Sequence, residues 1–502
     1  MKKNDFMSGA LILSIGGVLA KVFSAIYRIG ITRILGGEGI GLYQLVFPLY
    51  SLCVVLATAG LPMAISKVIA KNPGNSKKVV KKSILFTSII SLVLTFILLT
   101  CSEGLATIQG DKSISLCYII LAPSIIIVSA CSVFRGYFQG TAHYTPSAVS
   151  NIIEQFVKLA VGLILSLILI KISILASIIG AMISILVSEI VSLLILLIFY
   201  KKDRKKLETN DDISVKSLVK DIIPITLTNI IMPIATFVDS LIVVNILGMN
   251  FTHEMSIFLY GLESGAVSSL VSLPTIFSFA IASVVLPNIT KNVGSNNKNQ
   301  IILVAVKIIL IITIPCVLAF VLIPDRLIEL LYADRLNGMG VEGLNVAYRL
   351  LAISGIGVIF LAISQVYSSC LQAIEERMVT IRNLALAVAV KFIIELLFMP
   401  SLMINIYALA IANTVCYITV MVLNRMEIRE HFALKFDYLF VGKLILSNAI
   451  MVLSLILVLM LGSGVANTLL AILVAGICYV GSLYFTEIFT NKEFAVTKYR
   501  VL

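Results

Sequence analysis

Charge is scarce in this chain: only 13% of its 502 residues are Asp, Glu, Lys or Arg, three are His and none is Trp. A soluble domain carries about a quarter charged residues, so a water-facing surface over most of the chain is excluded. No G-x-x-x-x-G-K-[ST] occurs, and Gly442-Lys443 comes nearest but lacks the first glycine, which excludes a Walker A loop for ATP. His143, His253 and His431 form no H-x-x-x-H pair and no Ser-His-Asp set. The eight cysteines include no CxxC, and Cys53, Cys117, Cys131, Cys316, Cys370, Cys416 and Cys478 fall in apolar segments, where cysteine acts as a small hydrophobe. No disulfide, metal cluster, cofactor or catalytic centre is expected, and the chain reads as a non-enzyme.

What is present is apolar, at 59% of the residues. The stretches 84–100, 161–170 and 191–200 carry no charge, and each extends into a segment long enough to cross a hydrocarbon core of ~30 Å as a helix. Apolar runs and breakers predict an all-α integral membrane fold of about 14 spans, near 8–33, 42–70, 83–102, 114–138, 148–170, 172–199, 218–247, 257–289, 301–323, 344–373, 379–400, 404–424, 438–461 and 465–489. The N-terminus looks like a signal peptide, yet its apolar run continues past Lys21 to Arg28 without an A-x-A site, which makes it an uncleaved first span.

The net charge of +12 suggests nucleic acid at first sight, but the basic residues stand in short runs between apolar segments and form no basic surface. Lys2 and Lys3 open the chain, Lys71, Lys77, Lys78, Lys81 and Lys82 fill one connection, and Lys201, Lys202, Arg204, Lys205 and Lys206 another. Loops on the side of the N-terminus hold about 25 of the 38 Lys and Arg, which predicts that both termini are cytoplasmic in a multi-pass protein.

The charged stretch 201–217 divides the chain into an N-lobe of six spans (1–200) and a C-lobe of six (218–424), followed by a C-terminal pair of helices and tail (425–502). The external connection 324–343 has room for a short interfacial helix. The two lobes read as a parallel repeat. Arg33-Ile34-Leu35-Gly36 resembles Asn245-Ile246-Leu247-Gly248, Gly41-Leu42-Tyr43 resembles Phe258-Leu259-Tyr260-Gly261, and Leu61-Pro62 with Ser66-Lys67 resembles Leu286-Pro287 with Thr290-Lys291. Gln139 and Lys158 match Gln372 and Lys391 at one shared offset.

An ionisable side chain at the bilayer centre costs at least ~2.5–3.5 kcal/mol, so each should face a partner or a water-filled cavity. Lys21 and Arg28 are two turns apart on one face of the first span. They can line a basic cavity that neutralises a phosphate-bearing head group, with Arg33 and Lys67 as further candidates for which snorkelling is the alternative. Glu154 and Lys158 are spaced i, i+4, and Lys391 and Glu395 repeat the spacing in reverse order. Each is a structural ion pair or a flank of the cavity. Asp239, Glu263, Glu189 and Glu154 are candidates for binding a coupling Na⁺ or proton, as against pairing with a cation; Asp239, Glu263, Glu189 and Lys307 have no partner that spacing can name. Prolines such as Pro48, Pro123 and Pro315 fall inside spans and free carbonyls for a cavity or hinge.

The runs Gly37-Glu38-Gly39-Ile40-Gly41-Leu42-Tyr43, Gly60-Leu61-Pro62-Met63-Ala64-Ile65-Ser66-Lys67 and Arg135-Gly136-Tyr137-Phe138-Gln139-Gly140, then Pro146 with Glu154-Gln155, resemble a sporulation-associated branch of the MOP (multidrug/oligosaccharidyl-lipid/polysaccharide) exporter superfamily. That superfamily includes the MATE drug exporters and the MurJ lipid II flippases. The resemblance implies two pseudo-symmetric six-helix lobes in a V, with two extra C-terminal helices, alternating between inward-open and outward-open states. The implied partner is an anionic lipid-linked oligosaccharide, an undecaprenyl-diphosphate peptidoglycan precursor such as lipid II, moved across a bacterial cytoplasmic or forespore membrane for cortex synthesis. Membrane lipid and cell-wall polymerases are further implied partners. In MurJ-like members first-span arginines contact the diphosphate; Arg33 holds one matching place and Arg28 lies one position off the other. The eighth span reads Leu259-Tyr260-Gly261-Leu262-Glu263, with no cation where MurJ-like sequences have arginine. The rival readings are a cation-coupled MATE-type exporter using Asp239 or Glu263, and a membrane scaffold for cell-wall synthesis without transport.

Overall fold

The computed structural model describes residues 3–71, 73–203, 215–291, 298–336, 341–432 and 437–488. Arg204, Lys205 and Lys206 lie outside them. Every regular element among the described residues is a helix. The chain clusters into two compact units, 1–269 and 270–502.

Unit 1 holds α1 (Lys3–Thr58), α2 (Leu61–Lys71), α3 (Ser76–Thr100), the short α4 (Ser102–Ile108), α5 (Ser115–Gly140), α6 (Tyr144–Leu169), α7 (Ile174–Lys202), α8 (Val215–Leu247), α9 (His253–Gly261) and a π-helical turn over Leu262–Val267. Unit 2 begins within α10 (Ser268–Lys291) and holds α11 (Lys298–Leu322), α12 (Pro324–Leu336), α13 (Val341–Ala373), α14 (Arg377–Phe398), α15 (Tyr407–His431), α16 (Tyr438–Leu459) and α17 (Val465–Phe485). The helix expected in the connection 324–343 is α12.

Among the described residues twelve helices are long and apolar enough to cross a membrane, against about 14 expected spans. The first of the twelve, Ile15–Lys71, has 57 residues, where one crossing needs about 20. Within it Gly36 takes φ 70° and ψ −173°, a region essentially reserved for glycine, and the helix axis breaks there. In α14, Arg382, Lys391 and Glu395 leave too much charge for it to count among the twelve.

The side-chain distribution is that of a lipid-facing protein. α3 buries Ser83, Thr87, Ser91 and Thr95, one per turn, and exposes Leu85, Ile89, Leu92, Val93 and Phe96 on its other face. In water this would be upside down; in lipid, small polar groups pack helix to helix while apolar ones meet acyl chains. Thr95 Oγ1 accordingly donates to Ala122 O of α5 at 2.9 Å. α7 repeats the pattern, burying Ser177, Ser184, Ser188 and Ser192 while exposing Ile190, Leu194 and Ile198.

Both units use the same neighbour scheme. α3 packs on α5, α5 on α7 and α6 along α7 in unit 1; α11 packs on α13, α13 on α15 and α14 along α15 in unit 2. α16 and α17 pair with each other, and their buried Met451, Leu455, Ala471 and Ala475 close on Ile323.

Candidate functional site

α1 and α6 run side by side in the same direction. Gly16 lies against Ala148, Phe23 meets Phe156 edge-on at 5.7 Å, and Gly30 lies against Leu163, so the two numberings rise together. This register brings Lys158 beside Tyr27. Its ammonium lies 5.0 Å from the Tyr27 ring centroid and 5.4 Å from that of Phe47, and within electrostatic range of Glu154, Glu189 and Arg28. Lys21, Arg28 and Lys158 are all half-buried, and Lys21 lies two turns from Arg28 along α1. A cation on two aromatic faces gains about 0.5–2 kcal/mol, less than a carboxylate in hydrogen-bond contact would supply, and it remains available to an anion.

Arg28 is fixed at its far end. Its Nη2 donates to Ser264 O at 2.9 Å, and Gln44 Nε2 donates to the same oxygen at 2.7 Å. The π-helical turn exposes that carbonyl. Ser268 N–H, which a regular helix would aim at Ser264 O, bonds instead to Glu263 O and Gly265 O. Around it α1 and the α9–π segment touch backbone to backbone. A Cβ on Gly261 would stand 2.1 Å from Gly37 O, and one on Gly41 would stand 2.2 Å from Ile257 O. Nearby, Gln109 Nε2 reaches Leu45 O at 2.8 Å and Ser240 Oγ at 2.9 Å, Asn245 Nδ2 reaches Ile108 O at 2.9 Å, and His253 Nε2 lies 3.3 Å from Asp111 Oδ2.

Glu154 does not pair with Lys158. Its Oε2 accepts from Arg135 Nη2 of α5 at 2.6 Å, and the same guanidinium donates to Ser192 Oγ at 3.0 Å and Ser150 Oγ at 3.3 Å. Arginine's planar guanidinium holds five donors in a fixed fork, which satisfies several acceptors at once. Spacing along one helix missed this pair because Arg135 stands on another element, near the end of its span.

Arg33 and Lys67 are exposed, as side chains near span ends can be when they snorkel. Asp239 on α8 and Glu263 in the π-helical turn are buried, at 7% and 4% exposure. Lys391 belongs to unit 2 and lies 3.6 Å from Glu395 Oε1, the i, i+4 neighbour that spacing named. Lys307 finds its partner in Asp437, at 2.6 Å, immediately ahead of α16. Asp437 also caps that helix, accepting from Phe440 N at 3.0 Å. The Lys307 hydrogen bond and then the Phe440 N–H hold the Asp437 carboxyl below the usual carboxylate range.

These elements define a multi-pass membrane protein whose buried charges gather on helix seams, in a fold shared with known membrane transporters. The solved structure of the lipid II flippase MurJ, inward closed, aligns over 95% of this chain and 99% of its own with a TM-score of 0.74 and 18% identity. An inward-facing MATE multidrug resistance transporter of the MOP superfamily aligns over 84% and 98%, with a TM-score of 0.66 and 17% identity. By sequence the chain belongs to the polysaccharide biosynthesis protein family, whose model matches residues 6–293. Stage V sporulation protein B of Bacillus subtilis (strain 168) is 34% identical over 164 residues, 32% of either chain. The chain spans about a third of the length of the curated relatives it matches.

Proposed function

We propose that this chain is a flippase that moves an anionic lipid-linked oligosaccharide, an undecaprenyl-diphosphate peptidoglycan precursor, across a bacterial cytoplasmic membrane by alternating access. The observation that carries the reading is Lys158 of α6 standing beside Arg28 of α1, both half-buried, with Lys158 resting on aromatic rings and, among the described residues, in salt-bridge contact with no carboxylate; Lys21 lies two turns from Arg28 along α1. Positive charge at such depth is costly, and an anion that visits it offsets part of that cost. A diphosphate is the anion that membership of a polysaccharide biosynthesis family suggests. Arg28 supplies a directional fork and the two lysines supply point charges.

Arg33 and Lys67, exposed near span ends, serve in this reading as contacts for lipid phosphate, and Lys391 as a cation of the second unit held ready by Glu395. Both termini face the cytoplasm, the chain catalyses no covalent step, and the division of labour follows two lobes, 1–200 and 218–424. The relative from a sporulating bacterium favours cortex precursor at the forespore membrane as cargo, with cell-wall polymerases receiving it.

A binding measurement tests the reading. Purified protein in nanodiscs should bind undecaprenyl diphosphate, and Arg28→Ala or Lys158→Ala should weaken binding by about tenfold each, the worth of one charge-assisted contact. Binding of organic cations in place of the diphosphate, lost in Asp239→Asn or Glu263→Gln, would instead identify a MATE-type exporter. Binding of neither would point to a scaffold.

A further inference from the structure

One buried acid stands apart from that cationic seam. Glu189 of α7 is 5% exposed. Its Oε1 accepts from the Tyr50 hydroxyl at 2.6 Å, and Ser124 Oγ donates to that phenol oxygen at 2.9 Å. Its Oε2 is equally buried and has no hydrogen-bond partner, and no ion pair reaches Glu189 among the described residues.

α1, α5 and α6 all pack against α7, and each presents ionisable groups to this acid. α1 contributes Tyr50. α5 contributes Cys131, whose thiol donates to the Glu189 backbone oxygen at 3.8 Å, and Arg135. Arg135, however, is already engaged by Glu154 and Ser192. α6 contributes Glu154, which adds negative charge, and Lys158, which lies in electrostatic range of Glu189 but rests on the Tyr27 and Phe47 rings. An ionised carboxylate with one hydrogen bond and no counter-ion is costly in a dry interior. A neutral acid leaves only a hydroxyl short of a partner, a smaller cost.

We propose that Glu189 is a proton-binding site of unit 1, with Lys158 as the counter-ion it acquires when the proton leaves. In the arrangement described here the proton sits on Glu189 and the Lys158 ammonium stays on the aromatic faces. On release, one proton passes to water, Glu189 becomes a carboxylate, and the lysine stem swings from the rings toward it. No other bond changes. Movement of Lys158 off the α1–α6 seam ties proton occupancy to the position of α1, since Tyr27 and Phe47 belong to that helix on either side of its Gly36 break. The proposal requires nothing about the cargo, and its failure would leave the flippase reading standing.

The test is infrared difference spectroscopy of the full-length chain in lipid vesicles, titrated with pH. The carbonyl band of a protonated carboxyl should be present in neutral buffer and disappear on raising the pH. Glu189→Gln should delete it. Lys158→Met should move the pH of its disappearance by about one unit or more, the effect of one nearby opposite charge, and Tyr50→Phe should shift the band's frequency. A band that persists unchanged in Glu189→Gln, or a disappearance pH that Lys158→Met leaves in place, would overturn the proposal. If Glu189→Gln fails to fold, the Lys158 and Tyr50 variants decide the matter by themselves.

Discussion

Arg135 and Glu154 show how a single residue decides what its neighbour is free to do. Glu154 and Lys158 have the spacing of a helical ion pair, and the sequence alone offers no reason to look elsewhere. Yet a tertiary arginine that reaches Glu154 and two serine hydroxyls outcompetes a lysine one turn away. The consequence is that Lys158 is left to the aromatic rings. Breaking this pair from one side strands a largely buried charge, with side-chain exposures of 18% and 13%. Arg135→Ala should therefore cost about 3–5 kcal/mol, read as a lowered melting temperature in detergent, whereas Arg135→Met with Glu154→Met should recover much of the loss. A double variant no more stable than Arg135→Ala would show that packing and not charge was removed. Arg28, Lys21 and Lys158 were visible as charges in apolar runs. Ser264, Gln44 and Tyr50 were not, since their part depends on which carbonyl a π-helical turn exposes and which helix stands opposite.

At the scale of elements, Gly37-x-x-x-Gly41 of α1 faces Gly261-x-x-x-Gly265, with Gly261 against the backbone of Gly37 and Gly41, Gly37 also against the Phe258 ring and Gly265 against the Ile40 side chain. The sequence holds both patterns but not the fact that they meet. Gly261→Ala would drive a Cβ into Gly37 O, which belongs to a backbone that cannot rotate away, and overpacking of this kind costs about 1–3 kcal/mol or more. Gly442→Ala, where an added Cβ meets nothing within 4 Å, is the control and should melt with the wild type. Equal melting of both variants would contradict the contact. The anchoring of α16 is electrostatic in a similar one-to-one manner. Asp437 has a lowered folded-state pKa, so its contribution is complete above the unfolded value of ~4 and is lost as pH falls through the folded one. Acidification should loosen α16 in the wild type, and Asp437→Asn should abolish that acid-dependent step in hydrogen exchange of 438–459. An acid step that survives in Asp437→Asn would place its origin elsewhere.

For the whole molecule, the all-helical membrane class was legible because lipid reverses the usual burial rule and leaves uncharged runs that no soluble helix would carry. The sequence spans 8–33 and 42–70 leave Gly36 between them, and the span 379–400 falls on α14, although that helix carries the charges Arg382, Lys391 and Glu395. The cation seam was half legible: Lys21 and Arg28 share a helix face by spacing alone, but Lys158 comes beside Arg28 only through the parallel register of α1 and α6. Whether that seam serves a phosphorylated cargo is decided most directly by transport. Proteoliposomes carrying the chain and a labelled undecaprenyl-diphosphate glycan should render the inner-leaflet head group accessible to an impermeant reagent, and Arg28→Ala should slow this by about tenfold or more. Head groups that stay protected at the rate of protein-free vesicles would contradict the account.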